Sequence, residues 1–312
     1  MISYGDIEAA AGRIAPFIHR TPVMTSGALN RMFGAELFFK CENLQKIGAF
    51  KARGAVNAVM LLDEDTARGG VITHSSGNHA QALAYAASLR GIPCTIVMPK
   101  TAPVVKIEAV QGYGAEIVFC EPTLESRLET MMAIVATTGA HVVPPYNDDR
   151  VMAGQGTAGK ELCEQVSNLD VVMAPVGGGG LLGGVSTAVR AMVPGARVIG
   201  AEPEIAADAK ESLRTGVLQP PVDSMTIADG LRTGLGDLTL AQLISTGVQI
   251  ETASEESIRR GTLLVMERLK LVIEPSAGVT LGVLLEQPDL VRGSRVGIVL
   301  CGGNVDLRPL WS

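Results

Sequence analysis

Short aliphatic and β-branched runs alternate with longer segments of helical period along most of the chain. VITHSS (71–76) predicts a strand running into a turn, NHAQALAYAASLRG the helix after it, and CTIVMP the next strand. AEIVFC (115–120) and HVVPPY (141–146) predict further strands, with helices before and between them. LDVVMAPV (169–176) predicts an apolar strand, followed by a glycine run, the helix LLGGVSTAVRAM and the strand RVIGAE. RVGIVLCGGN (295–304) predicts one more strand into a glycine turn. Strand and helix alternate with no fixed-period repeat and no low-complexity tract, which predicts an α/β fold of parallel βαβ units. In an open parallel sheet ligands bind beyond the carboxyl ends of the strands. Several predicted strands run into loops of Gly, Ser, Asn or acidic residues, so these loops are expected to converge on one site. The segment 70–147 carries its own α/β pattern and is expected to form an inserted small domain. Residues 1–69 and 148–312 would then make a discontinuous large domain.

Composition narrows the function classes. With 312 residues, 47% of them hydrophobic, the chain can bury a large core, and length alone suits two domains or one large α/β domain. A net charge of -6 argues against nucleic acid and against an anionic membrane surface as partners. The opening MISYGDIEAA lacks a basic stretch followed by an apolar one, so no secretory signal is expected. No apolar run approaches the roughly 18 residues that span a bilayer. The five cysteines (Cys41, Cys94, Cys120, Cys163 and Cys301) show no C-x-x-C pair and no metal spacing, which suits a reducing cytoplasm.

Chemistry concentrates in four places. Gly177, Gly178, Gly179 and Gly180 lie between a buried strand and a helix, where backbone N–H groups and the helix dipole attract an anion. No G-K-[ST] follows, so this is not a Walker loop. Gly178, Gly180 and Gly183 do form G-x-G-x-x-G with Glu202 further on, which keeps a nicotinamide or flavin enzyme in view. Such a run also serves plain close packing. Lys51 sits in GAFKARGA among residues that solvate an ammonium poorly, and burial lowers a lysine pKa by up to roughly 3–5 units, leaving a usable amine. By itself a Lys-x-Arg at a helix start is ordinarily a solvated face. Ser75-Ser76-Gly77-Asn78-His79 offers hydroxyls, an amide and helix-start N–H groups suited to a carboxylate, or simply to capping and turning. Cys301-Gly302-Gly303-Asn304 places a thiol at a strand end.

Taken in order, FKARGA, HSSGNHAQ, PVGGGGLLGG, IEPSAG and LCGGN resemble the fold-type II pyridoxal-phosphate enzymes. Within them the resemblance is to the serine racemase, serine/threonine dehydratase and 3-hydroxyaspartate dehydratase branch, over nearly the whole chain. It removes the dinucleotide alternative, since a Rossmann dehydrogenase has no use for the other four motifs. It implies two three-layer domains with parallel sheets, like the β subunit of tryptophan synthase. By resemblance Lys51 carries the cofactor covalently and Phe50 packs on its ring. Gly177–Gly180 hold its phosphate, Gly230 lines it and Asn78 bonds its ring hydroxyl. Ser75, Ser76, Asn78 and His79 cradle the substrate carboxylate. Cys301 faces the ring nitrogen where many relatives have serine; a neutral thiol restrains the carbanion sink and favours elimination or racemisation over transamination.

Three further features bear on the branch. Ser76 resembles the serine that handles the proton opposite the lysine in serine racemases, where several plain threonine dehydratases have alanine. Arg127 in CEPTLESR resembles an arginine near the far end of the substrate, and a guanidinium there would bind a second carboxylate. The same residue also fits an exposed helix face. AEPEIAAD resembles a loop in which Glu202, Asp208 and the Ala206 carbonyl bind Mg²⁺, Mn²⁺ or Ca²⁺, as an all-oxygen set should. The chain ends soon after its last glycine turn, so no C-terminal regulatory domain is expected. The expected activity is a lyase converting L-threonine, L-serine or 3-hydroxyaspartate to a 2-oxo acid and ammonia, in a cytoplasmic homodimer. Serine racemase and a non-catalytic amino-acid-binding protein are the alternatives.

Overall fold

A computed structural model describes residues 1–308 apart from residues 103 and 223. Among them the strands are β1 (Val23–Met24), β2 (Glu36–Cys41), β3 (Val71–His74), β4 (Cys94–Pro99), β5 (Glu116–Cys120), β6 (His141–Val142), β7 (Val171–Pro175), β8 (Arg197–Pro203), β9 (Gln249–Ala253) and β10 (Arg295–Leu300). They make two sheets. One has the order β1-β2-β10-β7-β8-β9 and is parallel except for the β1–β2 pair; the other, β5-β4-β3-β6, is parallel throughout.

The apolar runs explain which strands lie at the centre. Every residue of VVMAP in β7 is buried, as are the last five of β10, because helices cover both faces of a parallel sheet. The helix Asp149–Gln165 crosses the helix Gly180–Met192 with their backbones in near contact: a Cβ added at Gly184 would lie 2.5 Å from the nitrogen of Gly156. The small sheet shares a core with the helix Lys51–Met60, whose Ala52, Ala55 and Val56 pack with Val71, Leu83 and Ile96. Its hydrophobic layer therefore recruits residues before position 70.

Most predicted strands appear within a residue or two of their expected limits. HVVPPY does not: only His141 and Val142 pair, because Pro144 and Pro145 have no N–H to give a ladder. ELFFKC (β2) and QIETA (β9) carry charges that masked them in the pattern. No helix of the described residues is long and apolar enough to cross a membrane. The carboxyl ends of β2, β7, β8 and β10 share one edge of the large sheet, and those of β3 and β6 share one edge of the small sheet.

Candidate active site

Lys51 begins the helix Lys51–Met60, and the last strand anchors that helix start. The Phe50 N–H donates to the Cys301 carbonyl at 3.0 Å, and Ala49 bridges to Gly302. The Lys51 Nζ lies 5.1 Å from the centre of the Phe50 ring and donates to the Pro145 carbonyl at 2.7 Å. No carboxylate pairs with it among the described residues. Burial therefore pulls its pKa down to about 8, against the opposing pull of Cys301 and Glu274.

The residue after Pro145 ties this lysine to the glycine run. The Tyr146 ring stands where a Cβ at Gly178 would go, 2.2 Å from that position, and its Cβ is 2.9 Å from the corresponding point at Gly180. Gly179 adopts φ +84°, a left-handed conformation that glycine takes without cost. The backbone N–H groups of Gly177–Gly180 are buried and have no protein acceptor among the described residues, at the start of the helix Gly180–Met192. Four such donors with a helix dipole behind them fit a phosphate. The Tyr146 hydroxyl bonds Thr233 Oγ1 at 2.8 Å, and Gly230 donates its N–H to Ser276 Oγ at 3.0 Å, so the 229–236 loop closes this side.

The loop after β3 faces the same space. Asn78 donates its side-chain Nδ2 to both oxygens of Glu274, at 3.1 and 3.0 Å, and accepts from Asn304 at 2.9 Å. Gly77 donates to Ser75 Oγ at 3.3 Å. The His79 ring is buried, with Nε2 bonded to the Val143 carbonyl at 2.8 Å. A carbonyl only accepts, so Nε2 carries the proton and the unpartnered Nδ1 offers a lone pair. Burial, and then the Lys51 charge, push His79 down to about 3, so the ring stays neutral. A neutral Nδ1 gives no hydrogen to a carboxylate; at this residue only the backbone N–H, in the first turn of the helix Asn78–Arg90, serves that purpose.

Arg127 is half-buried on the helix Leu124–Thr138, and its Nε lacks an acceptor. Its charge bears on His74 at the end of β3, one residue before Ser75. The helix that carries it packs on β3, through Met131 against Ile72. Cys301 is buried beside Glu274, its sulfur 3.9 Å from Oε1, and burial raises its thiol pKa well above the ordinary value. Glu274, Tyr146, Thr233 and Pro145 also line this space without being marked in the sequence. IEPSAG and HVVPPY contain three of them, but nothing in spacing marks a proline carbonyl or a buried acid as part of a site.

The third loop stands apart at the end of β8. Glu202 is 2% exposed and accepts from the N–H groups of Ala209 and Lys210 at 2.8 and 2.9 Å. Burial, with Asp208 adding repulsion, pushes its pKa up to about 8. Asp208 is also buried, also raised, and its Oδ2 has no partner. Two buried carboxyls that pair with no Lys or Arg among the described residues have the chemistry of a divalent-metal site. Among the described residues no group of three His, Cys, Asp or Glu is placed to hold a metal, and the turn between the two acids contains buried Ala206, whose backbone carbonyl is a further oxygen donor.

A family model described as pyridoxal-phosphate dependent enzyme matches residues 14–302. The chain is 50% identical to a β-hydroxyaspartate dehydratase of Paracoccus denitrificans, covering 99% of each. It is 44% identical to an L-threo-3-hydroxyaspartate ammonia-lyase of Saccharomyces cerevisiae, over 98% of this chain and 94% of that one. The crystal structure of a serine racemase from Dictyostelium discoideum superposes with a TM-score of 0.94 at 44% identity, over 98% of this chain and 99% of that one.

Proposed function

The chain belongs to the pyridoxal-phosphate dependent enzymes, and from that premise we propose that it is an ammonia-lyase converting small 3-hydroxy amino acids, 3-hydroxyaspartate foremost, to a 2-oxo acid and ammonia. The observation that supports the substrate choice is Arg127, half-buried with an unpartnered Nε, on the helix that packs on β3, the strand leading into Ser75–His79. The side chains of serine and threonine bring nothing anionic to such a group. The second carboxylate of 3-hydroxyaspartate does.

Pyridoxal phosphate, when bound, supplies an electron sink for the charge left at the α-carbon. Gly177–Gly180 would hold its phosphate, with Phe50, Asn78, Gly230 and Cys301 around its ring. The N–H groups of Asn78 and His79, with Ser75 and Ser76, receive the α-carboxylate. Lys51 Nζ takes the α-proton, for which an amine of pKa about 8 is well matched near neutral pH. The β-hydroxyl leaves as water, and hydrolysis returns a water as ammonia departs, so substrate and products balance. Glu202, Asp208 and the Ala206 carbonyl would hold Mg²⁺, Mn²⁺ or Ca²⁺, which neutralises a buried pair of acids. The five thiols, none of them paired, suit the cytoplasm.

Incubation with L-serine, L-threonine and both diastereomers of 3-hydroxyaspartate, with 2-oxo acid and D-serine assayed separately, tests the reading. Hydroxyaspartate should give the highest kcat/KM for 2-oxo acid, and Arg127→Ala should lower it by about 10–100-fold while threonine turnover changes little. D-serine formed without 2-oxo acid would overturn the lyase assignment. That second reading, a serine racemase, draws on Ser76, whose hydroxyl stands in the substrate loop; Ser76→Ala separates the two by its effect on racemisation relative to elimination.

A further inference from the structure

Glu274 occupies the N-cap position of the helix Pro275–Glu286, yet its side chain makes no capping bond. The carboxylate turns into the site instead. It is 4% exposed and accepts from Asn78 Nδ2 on both oxygens and from the Asn304 N–H at 3.3 Å. The Cys301 thiol points to its Oε1 across 3.9 Å. Glycine makes the room: a Cβ at Gly302 would lie 2.8 Å from the carboxyl carbon, and one at Gly230 would lie 3.7 Å from Oε1. All of these donors are neutral.

The charged and titratable groups around it come from four other elements. Lys51 opens the helix Lys51–Met60 and Cys301 follows β10. Asp229, in the 229–231 turn, is paired with Lys106 of the helix Val104–Gln111 at 2.9 Å. Burial dominates all of them and pushes the Glu274 carboxyl up to about 7.

We infer that Glu274 is a positioning residue for the cofactor side of the site, locking the Asn78 amide and drawing the Cys301 thiol proton to itself. The inference rests on the cofactor reading above. With its amide bonded to Glu274 and its Oδ1 to Asn304, Asn78 has one orientation. With its proton on the Glu274 side, the Cys301 sulfur presents a lone pair to its other side. A thiol bonded to a carboxylate is the better acceptor, and the pair lends its charge to a protonated ring nitrogen. When Glu274 takes up a proton, that bias is lost and the thiol is free to donate. The ionisation of Glu274, and not the thiol alone, therefore sets which protonation state of a ring nitrogen is favoured.

Infrared spectroscopy of the protein without cofactor tests the pair directly. The S–H stretch of Cys301, assigned by its loss in Cys301→Ser, should be shifted to the frequency of a bonded thiol above pH about 7 and should move toward the free position as Glu274 protonates. A band at the free position that ignores pH overturns the inference. In the protein loaded with pyridoxal phosphate, the visible band should titrate near pH about 7 in the wild type and in Glu274→Asp. It should not titrate in Glu274→Gln, whose Kd for pyridoxal phosphate should be about tenfold weaker. An unchanged titration in Glu274→Gln also counts against the role. A wild-type protein that never binds pyridoxal phosphate would instead sink the cofactor reading, while the infrared result still judges the Glu274–Cys301 pair.

Discussion

Lys51 becomes a usable amine by losing water, not by gaining a partner. Its one bond among the described residues is to a backbone carbonyl, and the carboxyl nearby, Glu274, is itself driven toward neutrality by burial. Borohydride treatment of the cofactor-loaded protein should fix pyridoxal phosphate at Lys51, read by mass spectrometry of the peptide. Lys51→Ala should lower turnover by at least about 10³-fold with its circular dichroism unchanged, since it removes a poorly solvated ammonium from the fold. Turnover retained in that variant would strip Lys51 of its role. The surroundings of this lysine were legible in GAFKARGA, because small apolar neighbours predict desolvation. Two residues on, Arg53 follows the opposite logic. A lysine-x-arginine pair at a helix start suggests a wet face, yet Arg53 is fully buried between Glu42, at 2.7 Å, and Glu161, at 2.8 Å. Only tertiary structure supplies carboxylates from positions so distant in sequence. His79 likewise depends on a distant partner: its bond to the Val143 carbonyl leaves the ring an acceptor.

At the scale of elements, glycine decides how closely backbones approach. Gly12 lies in the helix Tyr4–Ile14 with nothing within 4 Å of an added Cβ, so Gly12→Ala should stabilise by about 0.5–1 kcal/mol through helix propensity alone. Gly184 lies in a helix too, but its added Cβ would be 2.5 Å from backbone atoms of Met152 and Gly156. Neither can yield without moving the helix Asp149–Gln165, so Gly184→Ala should cost about 1–3 kcal/mol in spite of the same propensity gain. Urea unfolding of the two variants measures both signs; stabilisation of Gly184→Ala would mean the crossing is looser than described. The glycine loop was legible for the same reason that Gly184 was not. A run of four glycines between an apolar strand and a helix is a local signal. A single glycine inside LLGGVSTAVRAM gives no hint of which helix presses on it. The site's other wall, Pro145 and Tyr146, lies in HVVPPY, whose apolar pattern predicts a strand; the prolines end the pairing at Val142 and turn the chain toward the glycine loop.

Across the whole molecule, buried acids make stability depend on pH, and the metal proposed for Glu202 and Asp208 ties that dependence to a cation. Glu202 has a folded pKa of about 8 against an ordinary value of 4.5. Between these values the unfolded chain has given up a proton that the folded chain keeps, so metal-free stability falls as pH rises from about 4.5 to about 8. Glu274 acts in the same direction up to about 7. Lys51, lowered from 10.5 to about 8, acts in the opposite one: above pH 8 the unfolded lysine binds the proton that the folded one has lost, and stability recovers. For these three groups the protein without cofactor and metal has its minimum near pH 8. A divalent cation needs the ionised form of Glu202 and Asp208, so it competes with the proton. The rise in Tm on adding Ca²⁺ or Mg²⁺ should be slight at pH about 5 and grow to several degrees at pH about 8, the size expected for a ligand at about 100 times its Kd. Chelator should reverse the gain. Glu202→Gln should abolish it while leaving the metal-free protein more stable at pH about 8 than the wild type, because the buried charge is gone. Scanning calorimetry with chelator and with metal across this range decides the matter: a metal-induced gain that is the same at pH about 5 and about 8, or that survives in Glu202→Gln, places the ion elsewhere.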